Sequence, residues 1–296
     1  MRIENTLLLI IALLVPGWAQ AALDVVASST STGMLVREIA GEHASLQILA
    51  PPDRDLHALQ VRPSMMRALR EAELVTAIGA DLEVGWLPTA IQQAANPKIL
   101  PGKPGYFEAA AQVRLLGEGL AADRAMGDVH PMGNPHITMD PVRMAEVGLA
   151  LAERLAELDP ANADTYRSRA ASFKLKVEQR LPEWRKRTAG LPGAVAYHLD
   201  VDYLLDRFEI RLLGMLEPVP GIPPTGAHIK NLTNSLSGKK GIVLYTTYQP
   251  DRAPQALAET LGWPTARLPL EPALDADGDA YLDHIDRWID ALAAGR

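Results

Sequence analysis

The chain has no cysteine anywhere in its 296 residues. That excludes disulfide staples and thiolate ligands alike, so any metal ion held here is held by nitrogen and oxygen. Long apolar runs are missing too: the longest, Leu7 to Val15, is well short of the about 20 residues a helix needs to span a bilayer. No basic stripe is present, and the net charge is −7, which makes the chain a poor partner for nucleic acid. The patterns HExxH, GxSxG, the P-loop and GxGxxG are all absent, which removes the sequence grounds for the commonest metallopeptidase, hydrolase and nucleotide chemistries. There is no low-complexity tract, and 48% of the residues are hydrophobic, as in ordinary globular proteins.

What is present begins with an export signal. Arg2 supplies a positive start, Leu7 to Val15 an apolar core, and Ala19-Gln20-Ala21 the small residues that a signal peptidase needs. Residues 1–21 are therefore expected to be a signal peptide, leaving a soluble mature chain of about 275 residues. Its net charge is unchanged, because Arg2 and Glu4 leave together.

From Leu23 onward, short β-branched runs alternate with helical patterns, the signature of βαβ units and mostly parallel sheet. Strands are expected at Asp24–Ser28, Ser45–Ala50, Leu74–Ile78, Ala194–Tyr197, Arg211–Leu216, Ile242–Thr246 and Ala266–Leu268. Helices are expected at Thr32–Ala40, from Pro63 to Glu73, and at Ala227–Leu236, Pro254–Leu261 and Tyr281–Leu292. In the middle, Asp140-Pro141 and Asp159-Pro160 each start a helix, with Asp as cap and Pro in the first turn. Met144, Val147, Leu151, Leu155 and Leu158 make one apolar stripe; Tyr166, Ala170, Phe173, Val177, Leu181 and Trp184 make a longer one. The basic cluster Arg185-Lys186-Arg187 ends that second helix, where cations complement its dipole. The fold class is thus α/β, two lobes each built on a mostly parallel sheet flanked by helices and joined by a long rigid helix. The expected boundaries are 22–159 for the first lobe, 160–189 for the linking helix and 190–296 for the second.

Three histidines stand at strand ends or in turns, where open α/β sheets place ligand groups. His57 closes the loop Pro51-Pro52-Asp53-Arg54-Asp55-Leu56, His136 lies in the loop from Gly127 to Asp140, and His198 ends the strand Val195-Ala196-Tyr197. Neutral imidazole is the commonest nitrogen ligand of zinc, and an ion gathered from distant loops ties lobes together. His130, six residues before His136, is read as a packing residue, because no spacing rule supports two ligands there. His43 and His284 read as solvated and His228 as structural. Asp53, Asp140 and Asp200 are local candidates to hold the second ring nitrogens of the three ligands.

The stretches around these histidines resemble the metal-binding solute receptors of ABC transporters, the periplasmic zinc and manganese binding proteins of the zinc-uptake type (cluster A-I). Four passages carry the resemblance: Asp55-Leu56-His57 followed by Pro63-Ser64; EAELVTAIGADLEVGWLP from Glu71 to Pro88; GDVHPMGNPH with Asp140-Pro141; and Tyr197-His198 followed by GMLEPVPGIPP from Gly214 to Pro224. They follow the family's order over most of the mature chain. The resemblance implies an ion bound between the lobes by His57, His136 and His198, no catalytic activity, and a periplasmic location. It implies an ABC permease as partner, a periplasmic metallochaperone as a second candidate partner, and a monomer. It also implies an acidic fourth ligand near the last loop, for which Glu271 is the first choice and Asp275 the second, with water as the alternative. Two departures stand out: Ala58 and Leu59 follow the first histidine where the family often has an aromatic residue, and the His-rich insertion of many zinc members is reduced to the short loop containing His130.

Three imidazoles and a carboxylate suit tetrahedral zinc, whereas manganese favours more oxygen, so Zn2+ is expected ahead of Mn2+ as the transported ion. Two other readings use the same residues. A secreted zinc-dependent hydrolase would keep the fourth position open to water, and a metal-dependent adhesin would use the ion structurally.

Overall fold

The computed structural model describes residues 22–118 and 130–296. The signal-type segment 1–21 and the start of the glycine-rich loop, Gly127 to Val129, lie outside the described residues. Among the described residues no helix is long and apolar enough to cross a membrane.

The first sheet contains β1 (Leu23–Ala27), β2 (Ala44–Ile48), β3 (Leu74–Ala77) and β4 (Tyr106–Glu108), in the order β2-β1-β3-β4 with all pairs parallel. Its helices are α1 (Thr30–Ala40), α2 (Pro63–Glu71) and α3 (Leu87–Ala94). The central strand β3 is buried along its whole length, while β2 alternates between partly buried and exposed positions. That contrast is what a strand covered on both faces and an edge strand should show. The helices α4 (Pro141–Leu158) and α5 (Ala163–Thr188) follow. The second sheet has β5 (Ala194–Ala196), β6 (Leu212–Met215), β7 (Ile242–Thr246) and β8 (Thr265–Leu268), in the order β6-β5-β7-β8 and again all parallel. Around it lie α6 (Asp202–Arg207), α7 (Gly226–Leu236), α8 (Arg252–Leu261) and α9 (Gly278–Ala293). The two sheets share one strand order, a repeat of architecture that the sequence does not display as a repeat of residues.

One core runs through both halves. Met34 and Leu35 of α1, Leu151 and Leu155 of α4, and Phe173 and Trp184 of α5 belong to the same apolar cluster as Ala196, Leu244 and, from α9, Tyr281, Ile285 and Trp288. The outer face of each sheet has its own smaller core, against α2 and α3 in the first half and against α7 and α8 in the second. The apolar stripe of α5 is buried at Tyr166, Ala170, Phe173, Val177 and Trp184, and its 26 residues extend about 39 Å at 1.5 Å per residue.

α9 fastens this arrangement. The amide of Gly278 donates to Glu38 of α1 at 3.0 Å, Lys176 of α5 bridges Glu38 and Asp279, and Tyr281 donates to the carbonyl of Thr138 at 2.8 Å. Arg187, in the basic cluster at the end of α5, pairs with Asp286 and Asp290 of α9. Its role is thus a cross-helix ion pair as much as a complement to the helix dipole. His284, expected to be solvated, is instead buried on α9, with Nε2 3.0 Å from the carbonyl of Leu270. Its helical face is the one turned to the core with Ile285 and Trp288, and its charged neighbour Arg287 donates to its Nδ1 at 3.2 Å. His43, also expected in solvent, is only partly exposed and meets the ring of Tyr166 edge-on.

Candidate metal centre

In open parallel sheets ligands gather beyond the carboxyl ends of the strands, because successive loops there converge. Both sheets turn those ends toward one cleft. His57 comes from the loop after β2, His136 from the turn before α4, His198 from the end of β5, Tyr248 from the end of β7 and Glu271 from the loop after β8.

The three sequence-predicted histidines come together. Ring centroids are 5.3 Å apart for His57 and His136, 5.6 Å for His57 and His198, and 5.3 Å for His136 and His198. His130 joins them, 5.2 Å from His57 and 5.9 Å from His136 between centroids. His136 and His198 are buried, at 3% and 6% exposure, and the Nε2 of each is buried without a hydrogen-bond partner. Unpaired buried nitrogens lose the hydration they have in water, typically about 1–3 kcal/mol each. Gathered with His57 at ring-centroid distances of 5.3 to 5.6 Å, they are donors that a cation would satisfy.

The ring orientations are fixed from behind. Asp55 accepts from the His57 amide at 2.9 Å and from its Nδ1 at 2.7 Å. A carboxylate only accepts, so the proton of the neutral His57 ring sits on Nδ1 and the lone pair on Nε2 faces the cleft. Glu217 does the same for His198, accepting from Nδ1 at 2.8 Å. The expected partners Asp53, Asp140 and Asp200 do other work. Asp53 lies beside Arg54; Asp140 caps α4 through the Val142 amide and binds Arg143 and Arg207; Asp200 accepts from Gln249 at 2.7 Å. Asp140 is withdrawn because a helix cap and two guanidinium groups already occupy its oxygens. Glu217 is nineteen positions from its histidine, so sequence proximity gave no signal for it; only the strand order brings the ends of β5 and β6 side by side.

The loop geometry is equally specific. The turn after β3 carries Ala80 and Asp81 in the left-handed region and ends at Gly85, where an added Cβ would lie 2.9 Å from the His57 carbonyl. The indole of Trp86 donates to the carbonyl of Leu56 at 2.8 Å. His136 is placed by Asn134, whose side chain accepts from the His136 amide at 2.9 Å and donates to the carbonyl of Leu199 at 3.0 Å in the other half. Tyr203 donates to the Asn134 carbonyl at 2.6 Å.

Burial and the neighbouring rings His198, His57 and His130 hold His136 well below the ordinary histidine pKa, which keeps it in the neutral form a metal needs. Burial opposes a charge on His198 as well, but Glu217, with Asp200 and Asp55, outweighs it and raises that pKa. Glu271 is buried at 3% exposure, and burial raises its pKa against the hydrogen bonds it receives. Its Oε2 accepts from the Ser31 amide at 2.7 Å and the Thr30 hydroxyl at 3.1 Å, at the N-terminus of α1, while Oε1 has no partner. Glu271 lines the same small space as His57, His136, Thr138 and Tyr248, of about 10 Å³, which is the room of a single water or ion. Asp275, the second choice for an acidic ligand, is not among the residues lining it.

Comparison with known proteins gives one consistent result. The family model described as zinc-uptake complex component A, periplasmic, matches residues 25–295. The high-affinity zinc uptake system protein ZnuA of Yersinia pestis is 25% identical over 286 residues, covering 90% of this chain and 89% of that protein. Among solved structures, a crystal structure of ZnuA superposes with a TM-score of 0.75 at 24% identity, covering 92% of this chain and 99% of that one. The solute-binding protein FpvC of Pseudomonas aeruginosa, in complex with Mn2+, superposes with a TM-score of 0.77 at 21% identity, covering 92% and 98%. The two structural likenesses are of fold.

Proposed function

The chain belongs to the periplasmic zinc-uptake component A family, and from that membership and its histidine cluster we propose that it captures Zn2+ in the periplasm and delivers it to an ABC permease. Mn2+ ranks second. The observation that carries the reading is the cluster of the His57, His136 and His198 rings, with centroids 5.3 to 5.6 Å apart, in which the Nε2 atoms of His136 and His198 are buried and unpartnered. The relative from Yersinia pestis, a zinc uptake protein by name, supports the choice of ion.

His57, His136 and His198 are the three ligands. Three imidazoles leave one position of a tetrahedral ion, and two side chains face it: Glu271, through Oε1, and His130. Capture is ligand exchange, in which hydrating waters leave and neutral imidazoles replace them, so protons compete with the ion. The lobes are taken as 22–159 and 190–296, with 160–189 between them, and the protein as a monomer. The chain is exported through its first 21 residues.

Carriage is favoured over hydrolysis. The carboxylates behind the rings, Asp55 and Glu217, are committed to Nδ1 atoms rather than placed to activate a water. The test is zinc titration of the full mature chain against a competing chelator, with His57→Ala, His136→Ala and His198→Ala in parallel. Each variant should lose most of the affinity. Wild-type affinity in all three would refute the reading.

A further inference from the structure

The contact between His57 and His130 is not accounted for by three ligands and a carboxylate. Their Nε2 atoms are 3.1 Å apart. With the His57 proton on Nδ1, held by Asp55, this contact is His130 donating to the His57 lone pair. A zinc ion with Zn–N bonds of about 2.0–2.1 Å sets its ligand nitrogens about 3.3 Å apart along each tetrahedral edge. The two rings thus already stand at an edge of a coordination tetrahedron, with one proton where the metal would be. Ligand atoms of His57, His130 and His136 lie within 4.8 Å of one another.

We propose that His130 is a ligand of the captured ion and supplies its fourth imidazole, ahead of Glu271. The inference rests on the capture reading above. Independent support comes from the buried Nε2 of His136, a member with His57 and His130 of that same group, which has no partner of its own; His198, whose ring centroid is 5.3 Å from that of His136 and whose Nε2 is likewise unpartnered, completes the set. Charge balance supports it as well. Four neutral imidazoles would leave a divalent ion uncompensated, but Asp55 behind His57 and Glu217 behind His198 place two carboxylates one ring away, where they offset it through the imidazoles. Glu271 is then not required for neutrality, and its Oε2 is already held by Ser31 and Thr30 at the start of α1. An all-nitrogen donor set favours zinc over manganese, which prefers oxygen. His130 is therefore a specificity-determining residue as well as a ligand.

The experiment is zinc K-edge absorption fine structure on the zinc-loaded full mature chain, with Kd for Zn2+ and for Mn2+ measured by chelator competition, on wild type, His130→Ala, Glu271→Gln and His57→Ala. The expected result is four imidazoles per zinc in wild type and in Glu271→Gln but three in His130→Ala, whose zinc affinity falls about tenfold or more and whose preference for zinc over manganese narrows. His130 lies in a partly exposed loop, so an unchanged thermal midpoint of the apo variant certifies its fold. If His130→Ala keeps the wild-type imidazole count and affinity while His57→Ala loses zinc, the inference is overturned and the capture reading stands. If His57→Ala also binds as wild type does, the capture reading itself fails.

Discussion

Glu217 ties His198 to the surface loop that follows β6: one carboxylate oxygen, Oε2, accepts from the imidazole Nδ1 at 2.8 Å and from the amide of Gly221 at 2.9 Å. Removing that carboxylate frees both the ring and the loop. Glu217→Ala is expected to weaken zinc binding by about 10–100-fold, the usual effect of deleting the partner behind a ligating histidine. Because Glu217 lies at the end of an outer strand, the melting temperature should hardly move. A chelator competition titration beside a thermal melt separates the two effects.

Gly85 offers a test that leaves every ligand in place. A methyl group there would meet the His57 carbonyl at 2.9 Å, closer than real contacts allow, so the loop after β2 must shift. Gly85→Ala is expected to lower zinc affinity by about tenfold or more, because a misplacement of about an ångström is enough to spoil a preorganised site. Unchanged affinity by the same titration would show that the loop absorbs the methyl group.

Proton release follows from the raised pKa of His198. The apo ring is partly protonated at and somewhat above the ordinary value of about 6.5, and zinc must expel that proton. His136, held neutral by burial and by its neighbouring rings, releases none. Calorimetry in buffers of different ionisation enthalpy should detect proton release near neutral pH, and affinity should fall as pH drops through the His198 pKa. Glu217→Ala, which removes a leading cause of the raised value, should reduce the release.

Glu271 is also a structural link. It joins the loop after β8 to the start of α1 through Ser31 and Thr30. Glu271→Ala leaves the buried Ser31 amide without its acceptor, while the Thr30 hydroxyl keeps the Pro272 carbonyl at 2.9 Å, and the apo protein should lose about 1–3 kcal/mol of stability, read from chemical denaturation. Glu271→Gln, which keeps an acceptor oxygen, should lose less.

His284 makes the apo fold acid-sensitive. Burial depresses its pKa to about 4, with Arg287 adding to the effect against the opposing bond to Leu270. A folded-state pKa below the unfolded value of about 6.5 means the contribution is complete above that pH and lost as pH falls toward 4. The expected loss is on the order of 3 kcal/mol. Denaturation midpoints of apo wild type and His284→Gln, followed from pH 7 to 4, should converge as the pH drops.

Much of this was legible in the sequence. Regular elements with strong periodicity were placed to within a few residues: β7 at Ile242–Thr246 and the buried stripe of α5 agree with expectation. The fold class follows from that alternation and is what the structure has. What was missed is short or non-local. β4 has three residues, too few to show a period, and α3 begins with Leu87-Pro88 after a tight turn and was read only as part of a family passage. His57, His136 and His198 were brought together as expected. His130 reads as a packing residue because no spacing rule supports two ligands there, and the 3.1 Å approach of its Nε2 to that of His57 is a contact between residues 73 positions apart, which spacing does not report. Of the carboxylates that hold the rings, Asp55 lies two positions from its histidine in a loop where Asp53 is a rival candidate by sequence, and Glu217 reaches His198 only because β5 and β6 are adjacent.

The placement of α9 bears on when this protein folds. Tyr281, Ile285 and Trp288 fill the core that α1, α5 and β7 share, so the earliest helix of the described chain has no complete packing surface until the latest one arrives. A nascent chain still attached to its ribosome lacks that keystone, and removing α9 should leave an open, aggregation-prone species rather than a smaller stable lobe.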